Sequence, residues 1–441
     1  MLTMERVKTI SVLAVPVAMA LSSNLVMSLI DLAMVGTLGN HAVGAAGLAA
    51  FSYALMLAFV GGIAPAVQGI VARSRGAGST APQCLPLNGG LLIALVVGVP
   101  LTIFCLWITP FLFSAISSDP GVTAIGIPYL RVLYLSIIAT GMHRAFQGYW
   151  SGIERPKVYM GIVFFMVCLN ILVNYMLIFG RFGAPALGAT GAAIGTVISL
   201  YAGVIVNFVM AYFRFGGDGF LTARPEAALL KRIFRIGLPL AFQQFFLAAG
   251  YVVYLWLVGQ VGTAELAASN VLVRISLVLL ILASALGMAS ATLVSRTLGA
   301  GDPAGAAQWG WDSGKLGVIV ITLLGLPILL FPRLFLSIFL TDPHTIAIAI
   351  IPMQLTAATA GLGSLIYVFA YTLYSLGDGN RVTMVSVGTQ WFVFLPAVWF
   401  VGPYLRYGLL ELSFVQAAYG ALATLLITAL WAGGRWKTIR A

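Results

Sequence analysis

The chain has 441 residues, of which 61% are hydrophobic and only 8% are Asp, Glu, Lys or Arg. An ordinary soluble domain is about 45–50% apolar and about 25% charged, so this chain has too little polar surface to face water all round, which excludes a soluble enzyme. The net charge of +11 would point to nucleic acid only if the basic residues clustered on one solvated face; they are scattered between apolar runs, and nucleic acid is excluded as a partner.

A membrane-spanning helix needs roughly 20 apolar residues. The first apolar run, Thr9 to Leu38, is too long for a cleavable signal and reads as the first span. Twelve such stretches follow one another at 9–37, 42–72, 87–111, 122–150, 158–180, 186–214, 229–260, 265–296, 312–334, 345–375, 382–402 and 412–433. Several exceed the bilayer's need, so tilt or protrusion is expected. The predicted fold is an all-α polytopic membrane protein of twelve spans. Cys84, Cys105 and Cys168 form no CxxC pair and read as small packing residues in or beside the apolar stretches.

With the N-terminus placed in the cytoplasm, that side receives 17 of the 23 Lys and Arg, including Arg6, Arg73, Arg75, Arg232, Arg296 and Arg440. The far side holds Arg181, Arg333 and Arg406, while Arg131, Arg144 and Arg274 fall inside spans. Seventeen against three obeys the positive-inside rule and predicts that both termini are cytoplasmic. The longest polar connection divides the chain into an N-lobe (1–214), a cytoplasmic connecting loop (215–235) and a C-lobe (236–441).

The two halves repeat. A shift of 223 residues aligns Pro16 with Pro239, Val35-Gly36 with Val258-Gly259, Arg73 with Arg296, Gly76-Ala77-Gly78 with Gly299-Ala300-Gly301, and Asp119-Pro120 with Asp342-Pro343. Loop motifs in register are beyond what a biased composition supplies. Because six spans is an even number, the copies are parallel repeats, an arrangement of carriers that rock two halves about a central site.

Of twelve acidic residues, the span assignment leaves only Asp31 well inside the membrane; the others, Asp312 included, fall in loops, at the terminus or at span ends. An intramembrane carboxylate is costly and marks an interior site. A packing hydrogen bond or an ion pair with Arg131 or Arg274 is the structural alternative. The repeat counterpart of Asp31 is Tyr254, however, and a packing role shared by both halves would not need a carboxylate in one. Asn170 and Asn174 stand at i and i+4 on one face of span five, with apolar counterparts near Phe394 and Val398. Two amides so placed can hydrogen-bond a protonated Asp31 or help ligate a cation. Thr196 and Tyr134 are further candidates for this coupling group. His143, near the inner end of span four, reads as a structural histidine more readily than a proton relay. Aromatic residues crowd spans seven and ten; Tyr254 and Tyr367, with Met27 and Met34 of span one, are the candidates to face a substrate cleft. No P-loop, HExxH, GxSxG or Cys/His metal spacing appears, so neither ATP hydrolysis nor a membrane hydrolase is supported.

With Pro16…Asp31-Leu-Ala-Met-Val-Gly36-Thr-Leu-Gly39, Asn170…Asn174-Tyr…Leu-Ile-Phe-Gly180, Gly188-Ala-Thr-Gly-Ala-Ala-Ile-Gly195-Thr196 and the two Gly-Ala-Gly loops, the whole chain resembles the multidrug and toxic compound extrusion (MATE) family, in its DinF-like branch. The resemblance implies two six-helix lobes around a central cleft and export of cationic or amphiphilic compounds in exchange for H⁺ or Na⁺. It implies no other cofactor and a monomer in the bacterial inner membrane. It places the coupling site at Asp31, with the asparagines and Thr196 around it, and makes Pro16 the hinge of a bending first span. Two departures favour a proton: Asn174 stands where some relatives carry Asp, and spans seven and ten lack the acidic residues of the NorM-like branch. A lipid-linked sugar flippase of the same superfamily is the alternative; its cationic cavity would have only Arg131, Arg144 and Arg274 to draw on.

Overall fold

The computed structural model describes residues 2–80, 82–116 and 119–439; Arg440 of the topology count lies outside them. All described regular structure is helical. The chain runs through α1 (Met4–Gly36), α2 (Asn40–Gly61), α3 (Ile63–Gly76), α4 (Leu85–Ile116), α5 (Pro120–Tyr134), α6 (Ile137–Gly152), α7 (Pro156–Phe179) and α8 (Gly188–Phe215). It continues through α9 (Ala227–Val261), α10 (Thr263–Gly299), α11 (Pro303–Leu330), the short α12 (Pro332–Leu336), α13 (Pro343–Leu376), α14 (Gly379–Thr389), α15 (Leu395–Trp399) and α16 (Leu409–Ala432). Among the described residues eleven helical stretches are long and apolar enough to cross a membrane, and α5 with α6, bent by 42°, makes a twelfth.

Four expected spans are broken, the ninth near its end at Phe331, between α11 and α12. The second is α2 plus α3, joined at Gly62. The fourth is bent at Leu135-Ser136, where backbone N–H groups bond three residues back and the Ser136 hydroxyl donates to Leu133 O at 2.6 Å, a local bond that competes with the helix ladder. The eleventh contains two π-helical turns, Gln390–Phe394 and Phe400–Tyr404. Two boundaries move as well. The connection between the halves is helical from Ala227, and α11 begins at Pro303, so Asp312 lies nine residues inside a helix and is buried.

The motifs shared by the two halves are helix ends. Asp119 accepts N–H bonds from Gly121 (2.7 Å) and Val122 (3.3 Å), and Asp342 accepts one from Thr345 (2.8 Å), each as an N-cap with proline in the next position. The backbone bonds hold the Asp119 carboxyl below its ordinary pKa, and Asp342 is held down first by the Thr345 hydroxyl, which donates to it at 2.6 Å, and then by the Thr345 N–H. At the Gly-Ala-Gly loops, Gly78 (φ 61°) and Gly301 (φ 82°) take the left-handed conformation. Ser79 N–H then bonds Ser74 O at 3.1 Å and Asp302 N–H bonds Thr297 O at 3.2 Å, the same six-residue closure of α3 and α10.

The chain forms two compact units, one of Met19–Ala241 and one of Met1–Ala18 with Phe242–Ala441. Both α1 and α9 change unit within their length, each two residues after a buried internal proline, Pro16 and Pro239. In the Met19–Ala241 unit, α3 and α9 meet backbone to backbone at Gly62 and Gly237, and α8 closes on α7 through a column of small residues. A β-carbon at Gly191 would fall 2.6 Å from Leu177 O, and one at Gly203 would fall 2.2 Å from Met166 Sδ. Small residues are what bring membrane helices this close. In the other unit, Tyr254, Leu257, Val258, Phe394, Leu395, Val398 and Leu412 form one buried apolar cluster, and residues of α10, α11 and α13 form another.

The Gly62–Gly237 contact makes a measurable demand. A β-carbon on Gly62 would lie 2.0 Å from Gly237 O, and neither partner is a side chain that can turn away. Gly62→Ala is therefore expected to cost about 1–3 kcal/mol, read as a lower thermal unfolding midpoint in detergent. An unchanged midpoint would contradict the close crossing.

Candidate functional site

The site is assembled within the Met19–Ala241 unit from three helices. α1 contributes Asp31, which is half-buried; α7 contributes Asn170 and Asn174, one turn apart and fully buried; α8 contributes Thr196. The Asn174 amide Nδ2 donates to Asp31 Oδ1 at 2.6 Å and to Asn170 Oδ1 at 3.2 Å. Asn170 Nδ2 donates to Thr196 Oγ1 at 3.3 Å, and the Thr196 hydroxyl donates back along α8 to Ala192 O at 3.0 Å. Thr196 is also within hydrogen-bonding reach of the Asp31 carboxylate. The result is one chain of polar groups in which Asn174 donates in two directions, to the carboxylate on one side and towards Asn170 and Thr196 on the other.

The geometry depends on Gly195. A β-carbon there would lie 1.9 Å from Asn174 Oδ1, so the amide reaches Asp31 only because α8 has no side chain at that point. Asn174 Oδ1 is itself buried without a hydrogen-bond partner among the described residues. The amide next to Asp31 thus has both N–H donors in use and one unused acceptor, and an amide can serve either protonation state of a carboxyl group. Oxygens of Asp31, Asn170, Asn174 and Thr196 could also surround a small cation, but the group that faces Asp31 is an N–H, which ligates no metal.

The other candidates are distributed differently. Tyr134, at the end of α5, is enclosed in the unit's core with its ring 6.4 Å from that of Tyr53, and it is not in the hydrogen-bonded network around Asp31. The tyrosine of α5 within electrostatic reach of Asp31 is Tyr129. Met27 and Met34 pack partly buried against the core of the same unit. Tyr254 is buried against Tyr251 and Phe394, with ring centroids 6.3 and 5.5 Å away, whereas Tyr367 is 38% exposed. His143 is buried against the Tyr159 ring and contacts Asn207, which also accepts from Trp150 Nε1 at 2.9 Å, a packing arrangement. Of the three arginines weighed for an anionic cavity, Arg131 and Arg274 are exposed, and half-buried Arg144 donates to Gln147 at 2.9 Å.

Sequence reasoning missed two buried carboxylates, Asp378, which pairs with Arg381 at 3.3 Å, and Asp312. Asp312 pairs with Arg6 of α1 at 2.5 Å, and the same guanidinium donates to Gln308 at 3.0 Å and lies 4.5 Å over the Trp309 ring. Asp302-Pro303 was the available signal. Read as an N-cap followed by proline at N1, it starts α11 early enough to place Asp312 inside the helix.

A family model, MatE, matches residues 16–176 and again residues 239–400, so the two matches begin on the repeat-related prolines. The probable multidrug resistance protein NorM of Neisseria meningitidis serogroup B is 26% identical over 437 residues, covering 97% of this chain and 93% of that protein. A protein of the same name from Bradyrhizobium diazoefficiens is 27% identical, covering 88% and 84%. Among solved structures, the Vibrio cholerae MATE transporter VcmN in its bent form superposes with a TM-score of 0.87 at 18% identity, covering 98% of both chains. With the family model covering both halves, and Asp31, Asn170 and Asn174 inside its first match, this chain belongs to the MatE family of membrane transporters, not to an enzyme family.

Proposed function

We propose that this protein is a secondary active multidrug efflux antiporter that exports cationic or amphiphilic organic compounds in exchange for protons, with Asp31 as the coupling carboxylate. The observation that carries the reading is the 2.6 Å hydrogen bond from Asn174 to Asp31. It joins the single carboxylate deep in α1 to an amide chain on α7 and α8, and no carboxylate takes its place at Tyr254 in the second repeat. The relatives' printed description as multidrug resistance proteins supports the substrate class.

In this mechanism the charged state of Asp31 accepts from Asn174 and holds a cationic substrate by charge. A proton arriving from the outer side neutralises the carboxylate, removes that attraction, and turns the hydroxyl of the acid into a donor. The unused Asn174 Oδ1 then becomes the natural acceptor, so the two protonation states favour different pairings of α1 with α7. A transition needs only such a difference between states. The driving force is adequate, since one charge crossing 100 mV releases about 2.3 kcal/mol, roughly a fifty-fold concentration ratio per proton. A sodium ion would have one carboxylate and neutral oxygens as ligands, which favours the proton.

Asp31→Asn is expected to insert and fold while losing efflux of an organic cation from vesicles energised by a pH gradient, by tenfold or more. Gly195→Ala, which leaves the carboxylate but displaces Asn174, should lower the same flux part of the way. Wild-type rates in Asp31→Asn, or flux that follows an imposed Na⁺ gradient instead, would overturn proton coupling here.

Pro16 is the proposed hinge. Proline removes the bond to the carbonyl four residues back, at Val12, and makes α1 easiest to bend there. Pro16→Ala should therefore reach the membrane at normal levels and transport poorly; undiminished transport would refute the hinge.

Both termini and the connection between α8 and α9 are placed in the cytoplasm, with the protein monomeric in a bacterial inner membrane. Reporter fusions that put the chain end outside the cell would reverse this topology.

A further inference from the structure

Away from the Asp31 cluster, the Met19–Ala241 unit encloses two arginine nitrogens that have nothing to bond. Nη1 of Arg73 and Nε of Arg232 are both buried, and neither finds an acceptor among the described residues. Arg73 stands in the last turn of α3 and Arg232 in the second turn of α9. The two helices are held together at Gly62 and Gly237, and Ile233 packs onto Gly89 of α4. This crossing places Arg232 inside the electrostatic field of Arg73. Arg75 on α3 and Lys231 and Arg235 on α9, all exposed, add positive charge around them, while the acids near these helices include Glu226, just before α9, and Glu154, beside the Ile153 carbonyl that Arg75 contacts.

Two guanidiniums brought together with N–H groups left over is an unfavourable arrangement unless an anion completes it. The helix ends do not resolve it. Arg73 benefits from the carbonyl end of α3, but Arg232 sits near the positive end of α9. The planar forks of two arginines match a phosphate, whose oxygens can accept from both. The surface beside them decides which phosphate. Lys231, Phe234 and Leu238 lie at i, i+3 and i+7 on one face of α9, and Phe234 and Leu238 are 47% and 36% exposed. A cation followed by two exposed apolar residues runs from headgroup level into hydrocarbon.

We infer that Arg73 and Arg232 clasp the phosphate of an anionic phospholipid whose acyl chain lies along Phe234 and Leu238, making this crossing of α3 and α9 a specific lipid site. The clasp ties α3 to the root of α9, beyond the close backbone approach of Gly62 and Gly237.

The test is thermal unfolding of the purified full chain in detergent with added phosphatidylglycerol, phosphatidylcholine or inorganic phosphate, for wild type and for Arg73→Gln/Arg232→Gln. Wild type should show a higher midpoint with phosphatidylglycerol than with phosphatidylcholine and no shift with inorganic phosphate. The double variant should respond to the two lipids alike, and native mass spectrometry should show it retaining less phosphatidylglycerol. In lipid-free detergent Arg73→Gln alone should not lower the midpoint, because it removes a like-charge contact. A phosphatidylglycerol shift preserved in the double variant would overturn the site. An equal shift with inorganic phosphate would overturn the lipid assignment and leave a free-anion site. A large loss of stability in lipid-free Arg73→Gln would also overturn the inference, by showing that protein groups already satisfy the guanidinium.

Discussion

A carboxylate inside an apolar helix persists only where neighbouring helices supply its hydrogen bonds, and here the supply arrives through the Asn174 amide. Much of the Met19–Ala241 unit serves that contact. The amide is held on its other side by Asn170, which is held by Thr196, so three helices share one polar chain. Gly195 leaves room for the amide, and its neighbours Gly191 and Gly203 set the α7–α8 distance that makes the room. A larger residue in this column would act on Asp31 from a helix that only Thr196 links to it.

The second repeat shows what the same scaffold becomes without the charge. Asp31 is replaced by Tyr254, and the position corresponding to Asn170 is held by Phe394. These two rings touch, with centroids 5.5 Å apart. The contact between the first and fifth spans of each copy is thus retained, polar in one half and aromatic in the other. The register also has a physical account. α7 and α14 begin 223 residues apart, at Pro156 and Gly379, yet Phe394 lies 224 residues after Asn170. The π-helical turn at Gln390–Phe394 inserts the extra residue between those points.

What the sequence made legible follows from which forces act locally. Apolar length announces spans, and the twelve stretches correspond to helices with boundaries shifted by a few residues at most ends. Caps recur in register, so the duplication was visible at Asp119 and Asp342 and in the Gly-Ala-Gly loops. The i, i+4 spacing put Asn170 and Asn174 on one face, and the structure brings both to Asp31. Contacts fixed by helix phase and long-range packing were not legible. Tyr129 and Tyr134 share α5, and only the packing of that helix decides which approaches α1. The Arg6–Asp312 pair joins residues 306 positions apart, and no local pattern announces it. The breaks at Gly62 and Ser136 depend on a neighbouring backbone and a hydroxyl, neither visible in an apolar run.

These elements converge on α1. Its first turns belong to the unit of Met1–Ala18 and Phe242–Ala441, where Arg6 is bound by Asp312, Gln308 and the face of Trp309. Its last turns belong to the unit of Met19–Ala241, where Asp31 is bound by Asn174. Each attachment is a charged group satisfied in a largely buried setting, the kind of contact that is strongly destabilising to break on one side alone. The weakest element between them is the backbone at Pro16, which lacks one ladder bond. In the proposed cycle a change of charge at residue 31 acts on a helix fixed at residue 6, and the strain falls on the segment around residue 16. The same segment is where the chain changes unit, and the repeat-related Pro239 marks the corresponding change in α9. In the proposed cycle, coupling then requires no contact between substrate and proton. It requires that one helix be anchored at one end, charged toward the other, and deformable in between.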